Sequence, residues 1–428
     1  MPTSVRFSAR LGLGVGAIAL VGCVGDTPIN TPQPDATADG PVIGTDGGAD
    51  VVTPDAAPDA GPPPCGAPGE SCCVAPLAPC GDGLTCTTNT KKCAVSDAWA
   101  IGEYATYAPN NGGFVTQIVT AHYDGATWTQ GKEVLTDFGF TTYRAQDIYQ
   151  SGDLVRALVT KASNIGGKMY GWNSVSWAEC KSGGSCIGPT TNADLWAVTS
   201  VLNGGNTEFW VAGTNVMYRC PNGNSSCSLV TNGIVGGVGT STFAGTTAQD
   251  LWYGVGDHVL RFNGTAWSSM SVGDAATMGD VAKDDIWIGS KQLRHWDGNA
   301  WSNAFLVDGA LTPGLIFSIS GAASKDVFAV GNDSGVGSFA AHWDGTGWKK
   351  TTLPAGTAGV TDVWAPSPIE AFVVGRKEPA TNKAVIARWD GTTWTEMPTP
   401  SYTYPQEQSA GTLKWVAITG RARPRRAP

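Results

Sequence analysis

The chain has 428 residues, among them 57 Gly and 17 Trp, with only 15% charged residues and a formal net charge of -9. Glycine and tryptophan in excess, with few helix formers, point to an all-β fold. The acidic balance lacks the basic face that nucleic-acid binding requires and argues against that class.

Residues 1–22 read as a targeting segment. Arg6 and Arg10 give a positive start, and Leu11 to Val21 is an apolar run too short and too glycine-rich for a spanning helix. The segment ends in Leu20-Val21-Gly22-Cys23, which resembles the bacterial lipobox. That resemblance implies a signal peptide over 1–22, lipid (palmitate included) on Cys23, and membrane attachment through it. Val24 stands where an Asp would imply inner-membrane retention. The expected location is therefore the outer membrane of a two-membrane host, facing either the periplasm or the cell surface.

Residues 23–64 follow as the lipid-bearing cysteine and a linker. Residues 24–64 hold seven Asp, no Lys or Arg and no aromatic. Such a segment cannot bury enough apolar surface to offset its ordering entropy, and its Pro and like charge keep it extended. Setting Cys23 aside leaves ten of the 11 cysteines in three even groups: Cys65, Cys72, Cys73, Cys80, Cys86 and Cys93; Cys180 and Cys186; Cys220 and Cys227. Local even groups suit a disulfide-bonded exported protein. Residues 65–93 form a small module with few large apolar residues, so crosslinks must hold it. It is similar to knottin-type mini-domains, but its adjacent pair is second and third, so that knot's pairing is not carried over. The absence of nearby His favours disulfides over zinc. No metal or cofactor is expected anywhere in the chain.

From residue 94 to 420 the chain is repetitive. Arg388-Trp389-Asp390-Gly391-Thr392-Thr393-Trp394 recurs as His342 to Trp348, His295 to Trp301, Arg261 to Trp267 and His122 to Trp128. Asp-Gly or Asn-Gly between apolar runs marks a hairpin, because such turns need positive φ. The closing residues Trp128, Trp177, Cys227, Trp267, Trp301, Trp348 and Trp394 count seven units, with Cys220 and Cys227 expected at the base and Trp positions of the third. An acid followed by an apolar run precedes each hairpin, at Asp97, Asp153, Glu208, Asp250, Asp285, Asp326 and Glu370. A further strand leads most units, which makes each a four-stranded blade and the whole a seven-bladed β-propeller. The first unit lacks its leading strand, and 412–419 supplies one, so the C-terminus is expected to close the ring. A basic tail, 421–428, follows.

The hairpin resembles the Asp-box of sialidase-like propellers, as a variant with adjacent Asp and Gly and with His or Arg in place of the leading Ser or Thr. The resemblance implies the propeller and carries no enzymatic role across. The whole is similar to uncharacterised bacterial envelope propeller lipoproteins. The recurrent acid, base and Trp are expected to form a cross-strand ladder, with the base over the closing indole. Asp250, Arg261 and Trp267 make one such row; Asp326, His342 and Trp348 a second; Glu370, Arg388 and Trp394 a third. Asp285, His295 and Trp301 fit the same frame. Three of the four His are thereby structural, and only His258 stands outside.

No nucleophile elbow, zinc-binding His-Glu-x-x-His or phosphate loop is present. Arg144, Arg156 and Arg376 lie off the base position, and Gly331 to Gly335 is a polar turn rather than a calcium loop. The expected function is non-catalytic: a monomeric envelope protein that binds a protein or glycan through loops on a rigid scaffold. Tyr104–Phe114, Lys161–Gly167 and Asn203–Thr207 are the first loops to consider. The alternative, an exported glycosidase or lyase, requires paired carboxylates outside the repeat frame and near the central axis.

Overall fold

The structure, a computed structural model, describes residues 85–86, 93–94 and 97–421, with breaks at 109–112, 139–142, 162–165, 183–185, 204–205, 222–225, 232–240, 283, 305–312, 334–336, 378–382, 405–406 and 408–410. Cys23, Cys65, Cys72, Cys73 and Cys80, like 1–64 and 422–428, lie outside the described residues. In the cysteine-rich module a short antiparallel pair sets the Cys86 backbone opposite Cys93.

Seven four-stranded antiparallel blades form a ring. Their inner strands are Thr412–Arg421, Tyr143–Ser151, Leu195–Asn203, Ser241–Thr247, Thr277–Ala282, Pro313–Ala323 and Thr357–Ser367, for blades 1 to 7. In blade 1 the inner strand comes from the C-terminal end and pairs with Asp97–Ala108, with Asp97 opposite Arg421. The outer strand of that blade is split, Trp128–Gln130 and Leu135–Phe138 both pairing with Gly113–Tyr123. Tyr402 fastens the returning chain by donating its hydroxyl proton to the Thr120 carbonyl at 2.5 Å.

Each hairpin turn among the described residues is made by its Asp or Asn. In blade 7, Trp389 lies opposite Trp394 and four residues make the loop between them. The Asp390 carboxylate accepts the N–H of Thr392 at 2.9 Å and of Thr393 at 2.8 Å. Those donors hold the Asp390 carboxyl well below the usual carboxylate range. Gly391 takes φ 99°, where a Cβ is disfavoured. Blade 2 has Ser174 at the equivalent place, with φ 74°.

The core lies between blades, because each blade buries its faces against its neighbours. Blade 4 presents Phe262 and Trp267 to Trp210 of blade 3, at ring distances of 5.4 and 5.8 Å. Trp172 and Trp177 approach Trp99 in the same way, Trp296 and Trp301 approach Trp252, and Trp343 and Trp348 approach Trp287. Trp389 and Trp394 approach Phe328, and Tyr123 and Trp128 close the ring on Phe372. Six of the seven seams therefore carry an aromatic triad, two rings from one blade and one from the blade before it. Such pairs contribute about 0.5–1.5 kcal/mol beyond the area they bury.

The acid–base half of the expected ladder is present, and its aromatic partner differs. Asp97 pairs with His122 at 2.6 Å, Asp285 with His295 at 2.7 Å and Asp326 with His342 at 2.6 Å. Arg261 reaches Asp250 at 2.9 Å, and Arg388 reaches Glu370 at 2.8 Å. Each base lies opposite the aromatic two residues after the acid, on the second strand, and not over the closing Trp. Arg261 stacks over Trp252 at 4.7 Å, and His295 stacks on Trp287 at 4.2 Å. The physical reason is register: Arg261 is paired with Trp252, while Trp267 is paired with Phe262 and turns toward the neighbouring blade.

The third blade corrects a second expectation. Its base is Arg219, which donates to Glu208 at 2.8 Å. Cys220 occupies the aromatic position before the turn, and Cys227 the position of the closing Trp, and the two are joined by a disulfide. In blade 2 the acid is displaced as well: Asp153 lies in the turn, and Leu154 opens the strand at the acid position.

Candidate functional site

The seven inner strands surround a central cavity of about 540 Å³. Their shape is set by one recurrent irregularity. Five of them carry a bulge early in the strand, at Val416, Gln146, Trp196, Phe317 and Thr361. A bulge inserts one unpaired residue and re-aims its side chain. All five bulged residues line the cavity. Around them the wall is uneven. Blades 3 to 6 present Trp196, Phe243, Met278 and Phe317, and blades 7, 1 and 2 bring Thr361, Asp362, Gln146 and Asp147 alongside the apolar Val416.

Two carboxylates sit directly after two of the bulges. Asp147 follows Gln146, and Asp362 follows Thr361. The Asp147 Oδ1 accepts the N–H of Ile148 at 2.8 Å, and its Oδ2 accepts that of Val198, on the next blade, at 2.9 Å. The Asp362 Oδ1 accepts the Val363 N–H at 2.9 Å and the Ser318 hydroxyl; its Oδ2 accepts the Ile418 N–H of blade 1 at 2.7 Å. Ser320 accepts from the Ala365 N–H, and Thr419 accepts from the Gln150 N–H, across two further seams. From blade 6 round to blade 3, then, a side chain of one inner strand satisfies the exposed backbone edge of the next. That is how a strand edge facing the central channel avoids unpaired donors.

Both carboxyl groups are ringed by protein atoms yet touch the cavity, so by surface area they are half-buried. Burial pushes Asp147 up to about 8, opposed by the Val198 N–H and reinforced by the charge of Asp362. Burial also pushes Asp362 up to about 6, opposed by Ser318. These two acids lie outside the repeat frame and line the central cavity, the placement that a glycosidase reading requires. The sequence signal was available: Gln146-Asp147-Ile148 and Thr361-Asp362-Val363 each set a lone acid inside a leading strand.

The other candidate residues are occupied elsewhere. His258 pairs with Asp257 at 2.5 Å in an exposed turn. Arg144 reaches Glu103 at 3.0 Å. Arg156 is 5% exposed, stacks over Phe209 at 4.7 Å and donates to the Val155 carbonyl. Burial lowers its pKa to about 10. None of these residues, nor Arg376, lines the cavity. The three loops expected to meet a ligand do not share a face. Tyr104–Phe114 and Lys161–Gly167 join second to third strands, and Asn203–Thr207 joins a first strand to a second, at the opposite end of its blade.

No family model matches the chain, and no curated protein matches it. Among solved structures it is similar to YCF48 from Cyanidioschyzon merolae, at 14% identity and a TM-score of 0.43 over 64% of this chain and 95% of that one. It is similar to the six-bladed, fucose-recognising lectin of Aleuria aurantia at 14% identity and a TM-score of 0.40, over 61% and 97%. The RRP9 WD40 repeats align at 8% identity and a TM-score of 0.45, over 60% and 82%.

Proposed function

We propose that this chain is an exported, lipid-anchored propeller that binds a protein or glycan partner at the outer membrane and leaves it chemically unchanged. The observation that carries this is the occupancy of the channel acids. Every oxygen of Asp147 and Asp362 accepts a proton donor from the wall, and three of those bonds join neighbouring blades. A general acid or base needs a lone pair or proton aimed at the substrate. The acids, Arg and His of the repeat are likewise occupied with one another.

The anchor and the location are tested together. Lipid labelling in cells should be lost in Cys23→Ser. An epitope after residue 421 should resist added protease until lysis if the propeller faces the periplasm, and should be cleaved on intact cells if it faces outward. Label that persists in Cys23→Ser would end the anchor reading.

One observation favours the glycosidase alternative: two acids with raised pKa share one cavity. Release of reducing ends from oligosaccharides by the wild type, abolished in Asp147→Asn or Asp362→Asn, would establish that alternative and overturn the binding-only reading.

A further inference from the structure

The repeat positions of this propeller are nearly uniform from blade to blade, and the bulge positions are not. Acid, base and turn residue recur because each blade needs them. The bulges hold Val416, Gln146, Trp196, Phe317 and Thr361, five different side chains at one structural position. Blade construction demands only that the strand bend there. What the side chain is must answer to something else, and the cavity is what those side chains meet.

We propose that the central cavity is a binding site for an uncharged sugar, one or two rings of a neutral glycan, held between Phe317 and Trp196 with C–H faces against these rings and hydroxyls toward Gln146. This inference rests on the chain being a binding protein.

Size comes first. A cavity of about 540 Å³ falls within the roughly 300–1,000 Å³ of small-ligand sites. The wall is made of strands in the centre of the ring, so the site is formed before a ligand arrives, and little ordering cost remains.

Charge decides the class. Among the described residues no Lys, Arg or His lines the cavity, and two carboxylates do. An anionic ligand would lose its hydration and find no counter-ion in the wall, which is costly in a partly enclosed site. A cation would have to compete with five wall donors for the lone pairs of Asp147 and Asp362, so it gains less there than at a free pair of carboxylates. A neutral ligand meets neither cost.

The remaining wall suits a polyol. Phe317 is 42% exposed although it points into a concave site, and its ring is offered to whatever enters. The Trp196 indole N–H is already held by the Thr214 hydroxyl at 3.0 Å, which fixes the ring and leaves its apolar surface to the cavity. A pyranose presents an apolar C–H face and a polar rim together, the combination that aromatic rings with an amide beside them can recognise. Thr361 does not contribute, since its hydroxyl is bonded to the carbonyls of Val374 and Trp415.

The test uses the full chain in detergent micelles, titrated with maltotriose, cellotriose and triacetylchitotriose, and with trigalacturonate as the anionic counterpart. Binding is read by calorimetry and by the indole fluorescence. At least one neutral trisaccharide should bind, and trigalacturonate should not. Phe317→Ala and Gln146→Ala should each weaken binding about tenfold, the scale of one lost contact, while the melting temperature stays near wild type. The site is overturned if no neutral trisaccharide binds, if binding is indifferent to both substitutions, or if trigalacturonate or a hexalysine peptide binds instead. A trisaccharide that is bound and then cleaved keeps the site and removes the non-catalytic reading. A partner protein that crosslinks equally to wild type and to Phe317→Ala, with no sugar bound, removes the site and keeps the binding reading.

Discussion

Six seams of this ring are aromatic, and the seam between blades 2 and 3 is not. At the triad positions it has Arg156 on one side and Cys220 and Cys227 on the other. The substitution extends further. Leu154 stands at the acid position and Gly171 at the base position, and a Cβ on Gly171 would meet the Cys186 sulfur at 2.5 Å and the Arg156 guanidinium at 3.0 Å. A second disulfide, Cys180–Cys186, is buried in the same cluster with Phe209 and Val211. Neither crosslink spans the seam; each lies within the chain of one side. The difference teaches that a repeat position is decided by what it touches on the adjacent blade. Once the large ring at position 156 is gone, its two partners and its own base change with it, and crosslinked loops fill the space that indoles fill elsewhere.

That contrast can be broken or sharpened by measurement. The largest effect belongs to an aromatic seam. Trp287 is 1% exposed at the centre of its triad, and Trp287→Ala should cost about 3–5 kcal/mol in denaturant unfolding; a loss below about 1 kcal/mol would mean that the triads do not hold the ring. Next comes the odd seam. Replacing Cys220 and Cys227 with Ala removes a short closed loop, worth about 2–3 kcal/mol, and hydrogen exchange should then rise first in Leu195–Asn203 and Leu154–Lys161. Arg156→Trp, Cys220→Phe and Cys227→Trp together restore the repeat, and this triple variant should be insensitive to reductant at that hairpin. If it is as labile as the alanine pair, aromatic and sulfur packing are not interchangeable there.

The same seam is stitched on its channel side by Asp147, so acidity probes it separately. The folded-state pKa of Asp147 lies near 8 against an ordinary 3.8. The native state keeps a proton that the unfolded chain has released, so stability should fall as pH rises from about 4 to 8 and level off above. Asp147→Asn should flatten that slope; an unchanged slope would assign it to another group. The smallest effect is a control outside the seam. Ser174, at φ 74°, replaces the turn glycine of blade 2, and Ser174→Gly should stabilise by about 1 kcal/mol.

Much of the architecture was legible because a period exposes itself. The hairpins, the count of seven units and the need for a leading strand in blade 1 all follow from residues that return in order. Register across the second and third strands was not legible. Trp252 and Trp267 are both plausible partners for Arg261 until the pairing is known, and the pairing chooses Trp252. Cys220 was placed one position early for the same reason. Bulges are invisible in a sequence because they are a mismatch between two strands, so the wall of the cavity emerged only with the fold, and with it the fact that the lone acids Asp147 and Asp362 share that wall.

The blade made from both ends of the described chain has a kinetic consequence. Pairing Asp97 with Arg421 closes a loop that contains every other blade. Loop entropy makes that contact slow to form and places it late in assembly. Until then six blades form an open arc with the Asp97–Ala108 edge unpaired, an arc that can add a strand from another molecule. A polypeptide emerging in N-to-C order would pass through that arc every time, so the interval before closure, rather than the stability of the finished ring, sets its exposure to aggregation and to proteases.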